Sequence, residues 1–363
     1  MSFHWPLTRI EKTVSHNGKS VSQECAMASA PTRIRLSDVA AAAEVSVATA
    51  SKALNGTGRM TEETRRRVRD VADALGFRPN AMARALSSQR SLTVGLITND
   101  SYGRFTLPVM SGLSNALVDD GISVLMSNVE DDPVAARRHL DTMLDRQVDG
   151  LVVTGRRIDT ALPLDLAEVP IPVVYAFTAA PENAVSLTAD DAQGARLATD
   201  WLSGLGRGRL AHVTGPEEFA AARIRAAAFR DVAGPGAPVL HGDWSEAWGH
   251  AAIGRLWGQG ARPDGIFCGS DQIARGVVDA LRERGVDVPG DVSIVGFDNW
   301  SIVAAATRPP LTTVDMGLGG IGREAGRLVR ALIEGGDVAP GPRRLPCRLV
   351  VRDSCGGSAP AAG

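Results

Sequence analysis

Paired cysteines, lysine, aromatic residues and long apolar runs are all scarce in this sequence, and each scarcity removes a class of protein. The four cysteines (Cys25, Cys268, Cys347, Cys355) stand far apart with no C-x-x-C among them, and the six histidines show no H-x-x-x-H spacing. Neither a disulfide framework nor a metal site is expected. No apolar run approaches the ~20 residues needed to span a bilayer. Residues 1–30 lack the continuous apolar core of a secretory signal, so a cytoplasmic protein without a membrane partner is expected. Lysine occurs only at Lys12, Lys19 and Lys52, which leaves arginine to supply nearly all the positive charge. No nucleophile–base pair is visible, so no catalytic residues, cofactor or enzymatic activity are assigned.

What is present is ordinary in amount and uneven in placement. The 363 residues leave room for two or three domains, and 44% hydrophobic with 22% charged residues is a soluble, globular balance. Residues 31–90 carry 11 Lys/Arg against 6 Asp/Glu, whereas residues 91–363 carry 25 against 33. A small basic block before a long acidic one suits a nucleic-acid-binding head on a non-binding body.

The head reads as three short helices. Ser37 is placed to cap the first, through Ala43, with Val39, Ala40 and Ala43 inward. Ser46 caps a second to about Leu54. Thr61, followed by Glu62 and Glu63, starts a third, which buries Val68, Val71, Ala72 and Leu75 and stops at Gly76. Phe77-Arg78-Pro79 interrupts the pattern. Asn80 to Ser88 is too short to hold a helix alone, and Ser87 to Ser91 reads as linker. Apolar strands follow at Thr93–Ile97, Ser123–Ser127, Gly150–Val153, Val173–Phe177, Leu210–Val213, Gly265–Cys268 and Ser293–Phe297, mostly separated by helical stretches. Such alternation predicts parallel sheets covered on both faces, and its duplication predicts two lobes with a ligand crevice at the strands' carboxyl ends. The expected divisions are a disordered extension (1–32), a helix-turn-helix domain (33–79), a hinge (80–91), an effector and dimerisation domain (92–354) and a disordered tail (355–363). Within the body, one lobe spans about 92–187 and 316–338, the other about 188–314 and 341–354.

In the second helix, Ala50, Ala53 and Leu54 point one way and Val47, Ala48, Ser51 and Lys52 the other. A helix with this outward face can set Lys52 on a guanine edge and the Thr49 and Ser51 hydroxyls on phosphates. Taken alone, the same pattern also fits a purely structural helical hairpin. The run LSDVAAAAEVSVATASKALNGTGRMTEETRRRVRDVADALGFRPNAMARALSSQ is more specific, because it resembles the head and hinge of the lactose/galactose repressor (LacI/GalR) family. The resemblance implies an all-α helix-turn-helix head on a two-lobed α/β body like a periplasmic binding protein. It places Val47, Ala48 and Lys52 on base-reading positions, with Thr49, Ser51 and Asn55 near the DNA backbone. It adds Asn80, Ala83 and Leu86 from the hinge, Leu86 as a minor-groove wedge that kinks the duplex. Glu44 stands where the family carries a turn glycine, and Lys52 where arginine is commoner.

The resemblance continues to about residue 353 through Asp190-Asp191-Ala192-Gln193-Gly194, Gly269-Ser270-Asp271-Gln272 and Val295-Gly296-Phe297-Asp298. It maps effector contacts onto Arg225, Ser270 and Asp298, with Phe105, Phe177 and Met316 lining the cleft and Arg156, Arg157 and Tyr175 as secondary candidates. An arginine fork, a carboxylate and an aromatic face suit a polyol. Chain crossings between lobes are expected near 188, 315 and 340. The implied protein is a homodimeric repressor of a near-palindromic operator, controlled by a sugar-like effector. Two rivals share parts of this pattern. A periplasmic solute-binding protein would share the body without the head. A dehydrogenase is suggested by Gly317-Leu318-Gly319-Gly320-Ile321-Gly322, which fits G-x-G-x-x-G but leaves no room for a dinucleotide domain after it.

Overall fold

The computed structural model describes residues 34–77 and 90–356, which fall into two separate units, a head and a body. The expected extension over 1–32, the hinge positions Asn80, Ala83 and Leu86, and residues 357–363 lie outside the described residues.

In the head, α1 spans Leu36–Ala42, α2 Val47–Leu54 and α3 Glu62–Ala74. Helix α1 begins one residue before the serine cap expected from sequence: Asp38 reaches back to accept from the Arg35 amide at 2.8 Å, which makes Ser37 an internal residue. Ser46 and Thr61 do cap α2 and α3, accepting from the Thr49 and Thr64 amides at 3.1 and 3.3 Å. Val39, Ala40, Ala43, Ala50, Ala53, Val68 and Ala72 form the core, where alanines allow the helices to approach closely. Leu75 departs from the expected stripe and is 38% exposed within this unit. Glu44, in the turn between α1 and α2, has φ +53°. A side chain there works against the left-handed backbone, so Glu44→Gly is expected to stabilise the head by about 0.5–1 kcal/mol, read as a raised Tm.

The body contains two six-stranded sheets. In the first lobe β1 (Thr93–Thr98), β2 (Ser123–Asn128), β3 (Gly150–Thr154), β4 (Val173–Ala176), β5 (Val185–Ala189) and β11 (Gly341–Leu345) run in the order β11-β5-β4-β3-β1-β2, all parallel. In the second, β6 (Leu210–Thr214), β7 (Val239–His241), β8 (Gly265–Cys268), β9 (Ser293–Phe297), β10 (Thr312–Asp315) and β12 (Arg348–Val350) follow the order β12-β10-β9-β8-β6-β7. Only edge strand β12 is antiparallel there. Helices α4 (Thr106–Leu117), α5 (Pro133–Asp145) and α11 (Leu318–Ile333) cover the first sheet. Helices α6 (Asp191–Gly204), α7 (Ala220–Ala233), α8 (Glu246–Gly258) and α9 (Asp271–Glu283) cover the second, and α10 (Ser301–Ala304) is a single turn against α9. The central parallel strands β1, β3, β6, β8 and β9 are buried between helix layers, so each is a mostly apolar run.

Three crossings join the lobes, at Asp190, at Met316–Gly317 and at Pro346–Cys347. The third falls later than the sequence suggested, because residues 341–345 pair in parallel with β5 before the chain leaves the first lobe. The crossings are stitched together. The Asp190 amide donates to the Leu345 carbonyl at 2.8 Å, and the Gln193 side chain bonds both the N–H and the C=O of Cys347, at 2.8 and 3.2 Å. The boundary set at residue 355 also moves: Cys355 is the buried end of a 3-10 turn, Asp353–Cys355, and receives the Trp201 indole N–H.

His212 on β6 shows how tightly the second lobe is packed. Its ring lies between Phe267 (4.4 Å) and Phe229 (5.3 Å), with Nδ1 hydrogen-bonded to the Phe267 carbonyl at 2.9 Å. Burial pushes its pKa down to about 3. Between the ordinary value near 6.5 and that lower value the unfolded chain binds a proton that the native state refuses. Stability from this group is therefore complete above about pH 6.5 and is lost as the pH falls, on the order of 3–5 kcal/mol in full. His212→Asn is expected to lose less Tm than the parent between pH 6.5 and 4; parallel melting curves would refute this.

Candidate functional sites: an exposed helix face and a cleft between lobes

On α2 the burial pattern divides the helix as its sequence implied. Ala50 and Ala53 are fully buried, while Val47 is 50% exposed and Ala48, Lys52 and Asn55 are exposed beside it. Thr49 and Ser51 are half-buried. The Thr49 hydroxyl bonds Ser46 at 2.8 Å, and Asn55 donates to the Ser51 hydroxyl at 3.5 Å, which orders both polar groups along the helix. Small side chains flanking one cation leave this face free to enter a groove.

The second site lies between the lobes of the body, a cavity of about 380 Å³ at the carboxyl ends of the strands. Of the residues expected there, Phe105, Phe177, Arg225, Ser270 and Asp298 line it, and so do Arg156 and Arg157. Met316 does not: it is buried behind Arg225, its sulfur 3.8 Å from that guanidinium. Tyr175 is also misplaced by the sequence reading. Strand alternation turns it to the opposite face of β4, among Leu162, Leu164 and Leu166.

Arg225, on α7, is 4% exposed and held on every side. Its Nε and Nη2 reach Asp191 Oδ1 at 2.7 and 2.6 Å, its Nη1 donates to the Gly269 carbonyl at 2.6 Å, and its plane covers the Phe297 ring at 3.7 Å. Asp298 Oδ1 is 4.0 Å away. Asp298 is itself ion-paired with Arg104, a first-lobe residue whose Nη1 also donates to Gln272 at 2.6 Å. The Arg104 guanidinium lies over both the Phe105 and Trp300 rings, at 5.1 and 4.7 Å. Asp100 fixes this loop by accepting from the Phe105 and Thr106 amides at 2.8 and 3.0 Å.

A second polar contact crosses the cleft. Arg157 clasps Asp159 through two hydrogen bonds, at 2.9 and 3.1 Å, and covers the Phe219 ring at 3.6 Å. Asp159 in turn accepts from the Ala220 amide at 2.7 Å, so a first-lobe carboxylate caps a second-lobe helix. Partial burial raises the Asp159 pKa, but the bonds from Arg157 and Ala220 outweigh it and hold the carboxyl below its usual range. Arg156 pairs with Asp131.

Behind Asp298, Asp271 is fully buried, accepting from the Trp300 amide at 2.7 Å and bonded to the Thr313 hydroxyl at 2.5 Å. Burial pushes both carboxyls upward, Asp271 to about 8 with the charge of Asp298 adding to the effect. Around Asp298, Arg104 and Arg225 favour the charged form and Asp191 opposes it.

Aromatic rings supply the apolar walls. Phe105 and Phe177 stack at 5.1 Å and 27°, and Phe219 meets Trp244 edge-on at 5.9 Å. Phe177 (φ +57°) and Asp298 (φ +106°) hold the left-handed side of backbone space, a strain that over-determined binding sites sustain. Ser270 is occupied as the cap of α9, accepting from the Ile273 amide at 3.2 Å. Sequence reasoning missed Arg104, Asp159, Phe219 and Trp244 as cleft residues. Asp191 and Gln272 lie inside the quoted motifs without having been assigned a role.

The glycine motif at 317–322 has a different use. Gly317 (φ +65°) is the turn before α11, and the other glycines lie within that helix. A Cβ on Gly322 would stand 2.0 Å from the Val109 carbonyl, so the helix surface is filled by α4 rather than by a phosphate.

A helix-turn-helix head with a free outer face, carried by a chain whose body is a two-lobed binding fold, defines a DNA-binding transcription regulator. Residues 35–80 match the model for bacterial regulatory proteins of the lacI family, and residues 199–355 that for a periplasmic binding protein-like domain. Catabolite control protein A of Priestia megaterium is 31% identical over 329 residues, covering 88% of this chain and 99% of that protein. The repressor CytR of Escherichia coli K12 is 29% identical over 330 residues, covering 89% and 96%. Among solved structures, the Lac repressor dimer bound to operator and the anti-inducer ONPF is similar at 26% identity, TM-score 0.71, with 89% and 99% covered. The CelR–cellobiose complex is similar at 28% identity and TM-score 0.62, with 89% and 100% covered. The chain belongs to the LacI family of bacterial regulatory proteins. Among the described residues, no helix is long and apolar enough to cross a membrane.

Proposed function

We propose that this chain is a homodimeric repressor that binds a near-palindromic operator and is released by a small, sugar-like effector, without catalysis, in the cytoplasm. The observation that carries the reading is the outward face of α2, where exposed Val47, Ala48 and Lys52 stand clear of the alanine core. Val47, Ala48 and Lys52 read bases, and Thr49, Ser51 and Asn55 contact the backbone. Asn80, Ala83 and Leu86 extend the contact, Leu86 as the minor-groove wedge. Arg225, Asp298, Ser270, Phe105 and Phe177 hold the effector, with Met316 backing Arg225. A lysine in place of a bidentate arginine makes Lys52 a point-charge reader. Support comes from the Lac repressor, whose structure is bound to operator, and from CelR, whose structure holds cellobiose.

The test is operator selection from genomic fragments by the full chain, followed by Leu86→Ala. Specific binding is expected to fall steeply with salt, and the variant to lose at least tenfold on the selected site but little on random DNA. No preference for any fragment over bulk competitor, with or without saccharides, would sink the proposal. Equal losses on both DNAs would remove Leu86 from the wedge.

A further inference from the structure

The charge balance of the cleft narrows the kind of molecule it accepts. Four arginines line the cavity, a number that at first suggests an anionic ligand. Each of the four, however, has its own aspartate: Arg104 with Asp298, Arg156 with Asp131, Arg157 with Asp159 and Arg225 with Asp191. The pairs of Arg104 and Arg225 are the buried ones, with side chains no more than 15% exposed, where an unmatched charge is most costly.

An arriving carboxylate or phosphate satisfies the arginine of such a pair but leaves the aspartate facing a second negative charge. An ammonium does the reverse. Of these three groups only a hydroxyl both donates and accepts, so it enters between guanidinium and carboxylate without stranding either. The rings on both sides of the cavity offer apolar faces to the C–H surface of a sugar.

We propose that the cleft takes an uncharged polyol and excludes its acidic counterparts, and that the Arg104–Asp298 pair, which joins the two lobes, imposes that choice. This rests on the effector reading above and deepens it. Arg104 and Gln272 mark where the first hydroxyls enter, because Asp298 Oδ2 and Gln272 Oε1 are the acceptors that Arg104 now occupies.

The experiment titrates the purified full chain, by calorimetry and thermal shift, with neutral saccharides and their matched acids. Glucose, galactose, maltose and cellobiose are set against glucuronate, galacturonate and glucose 6-phosphate. At least one neutral sugar is expected to bind, and its acid at least tenfold more weakly. Asp298→Asn, which leaves Arg104 unmatched, is expected to shrink that ratio about tenfold. Arg104→Gln, which leaves Asp298 only the more distant Arg225 at 4.0 Å, is expected to widen it, and serves if the first variant fails to fold. An acid that binds as tightly as its neutral partner overturns the proposal while leaving a saccharide effector in place. Binding by none of the saccharides overturns both. A ratio unmoved in the folded variants removes the pair from the selection.

Discussion

Arg225→Ala is expected to lower the stability of the body by about 3–5 kcal/mol and to abolish the response to effector. The size follows from what remains. Asp191 is 3% exposed and is met by two bonds from Arg225, so truncation strands a buried carboxylate without its partner. The Gly269 carbonyl loses its donor as well. Urea unfolding of the single variant and of Arg225→Ala with Asp191→Ala separates the two contributions. The double variant should regain much of the loss, because it removes the stranded charge along with its partner. A single variant within 1 kcal/mol of the parent would show that the Arg225–Asp191 pair does not carry this stability.

The second large effect is expected where backbones touch. Helices α8 and α9 meet through Gly249 and Gly276, whose added Cβ atoms would stand 2.1 Å from the Ile273 carbonyl and 1.9 Å from the Glu246 carbonyl. Helices α4 and α11 meet in the same way, through Gly112 against the Gly319 carbonyl at 2.0 Å and Gly322 against that of Val109. Neither contact can yield by rotating a side chain, because the obstructing atom is main chain. Gly276→Ala and Gly322→Ala are each expected to cost about 3 kcal/mol or more, since the helices must part to admit a methyl group. Gly204→Ala, where nothing lies within 4 Å, is the control and should leave stability nearly unchanged. Equal melting of all three variants would contradict the close approach.

These contacts also show where the sequence was legible and where it was not. The seven strands expected from apolar runs are present within a residue of their expected limits; those buried on both faces, such as β3 and β8, leave an unbroken hydrophobic signature. Strands β5, β7, β10, β11 and β12 carried no such mark. Val185–Ala189 alternates with serine and threonine, and Gly341–Leu345 is a sheet-edge Gly-Pro-Arg-Arg-Leu that reads as a turn. In the cleft, the residues at strand ends and helix starts were found through motif. Arg104, Asp159, Phe219 and Trp244 come from loops, and only the meeting of two lobes gives them a common purpose. Tyr175 failed for a simpler reason: it lies within β4, packed beside Leu162, Leu164 and Leu166, and not beyond the strand's carboxyl end as Phe177 does.

The carboxylate of Asp159 has a consequence for motion. Helix α7 takes the acceptor for its leading amide from across the gap, so any separation of the lobes leaves that helix without its terminal partner. The Ala220 amide proton thus becomes a natural gauge of opening. Its exchange with deuterium should slow when a molecule lodges in the gap and quicken when the lobes part, giving an intrinsic readout at the base of the helix that carries Arg225.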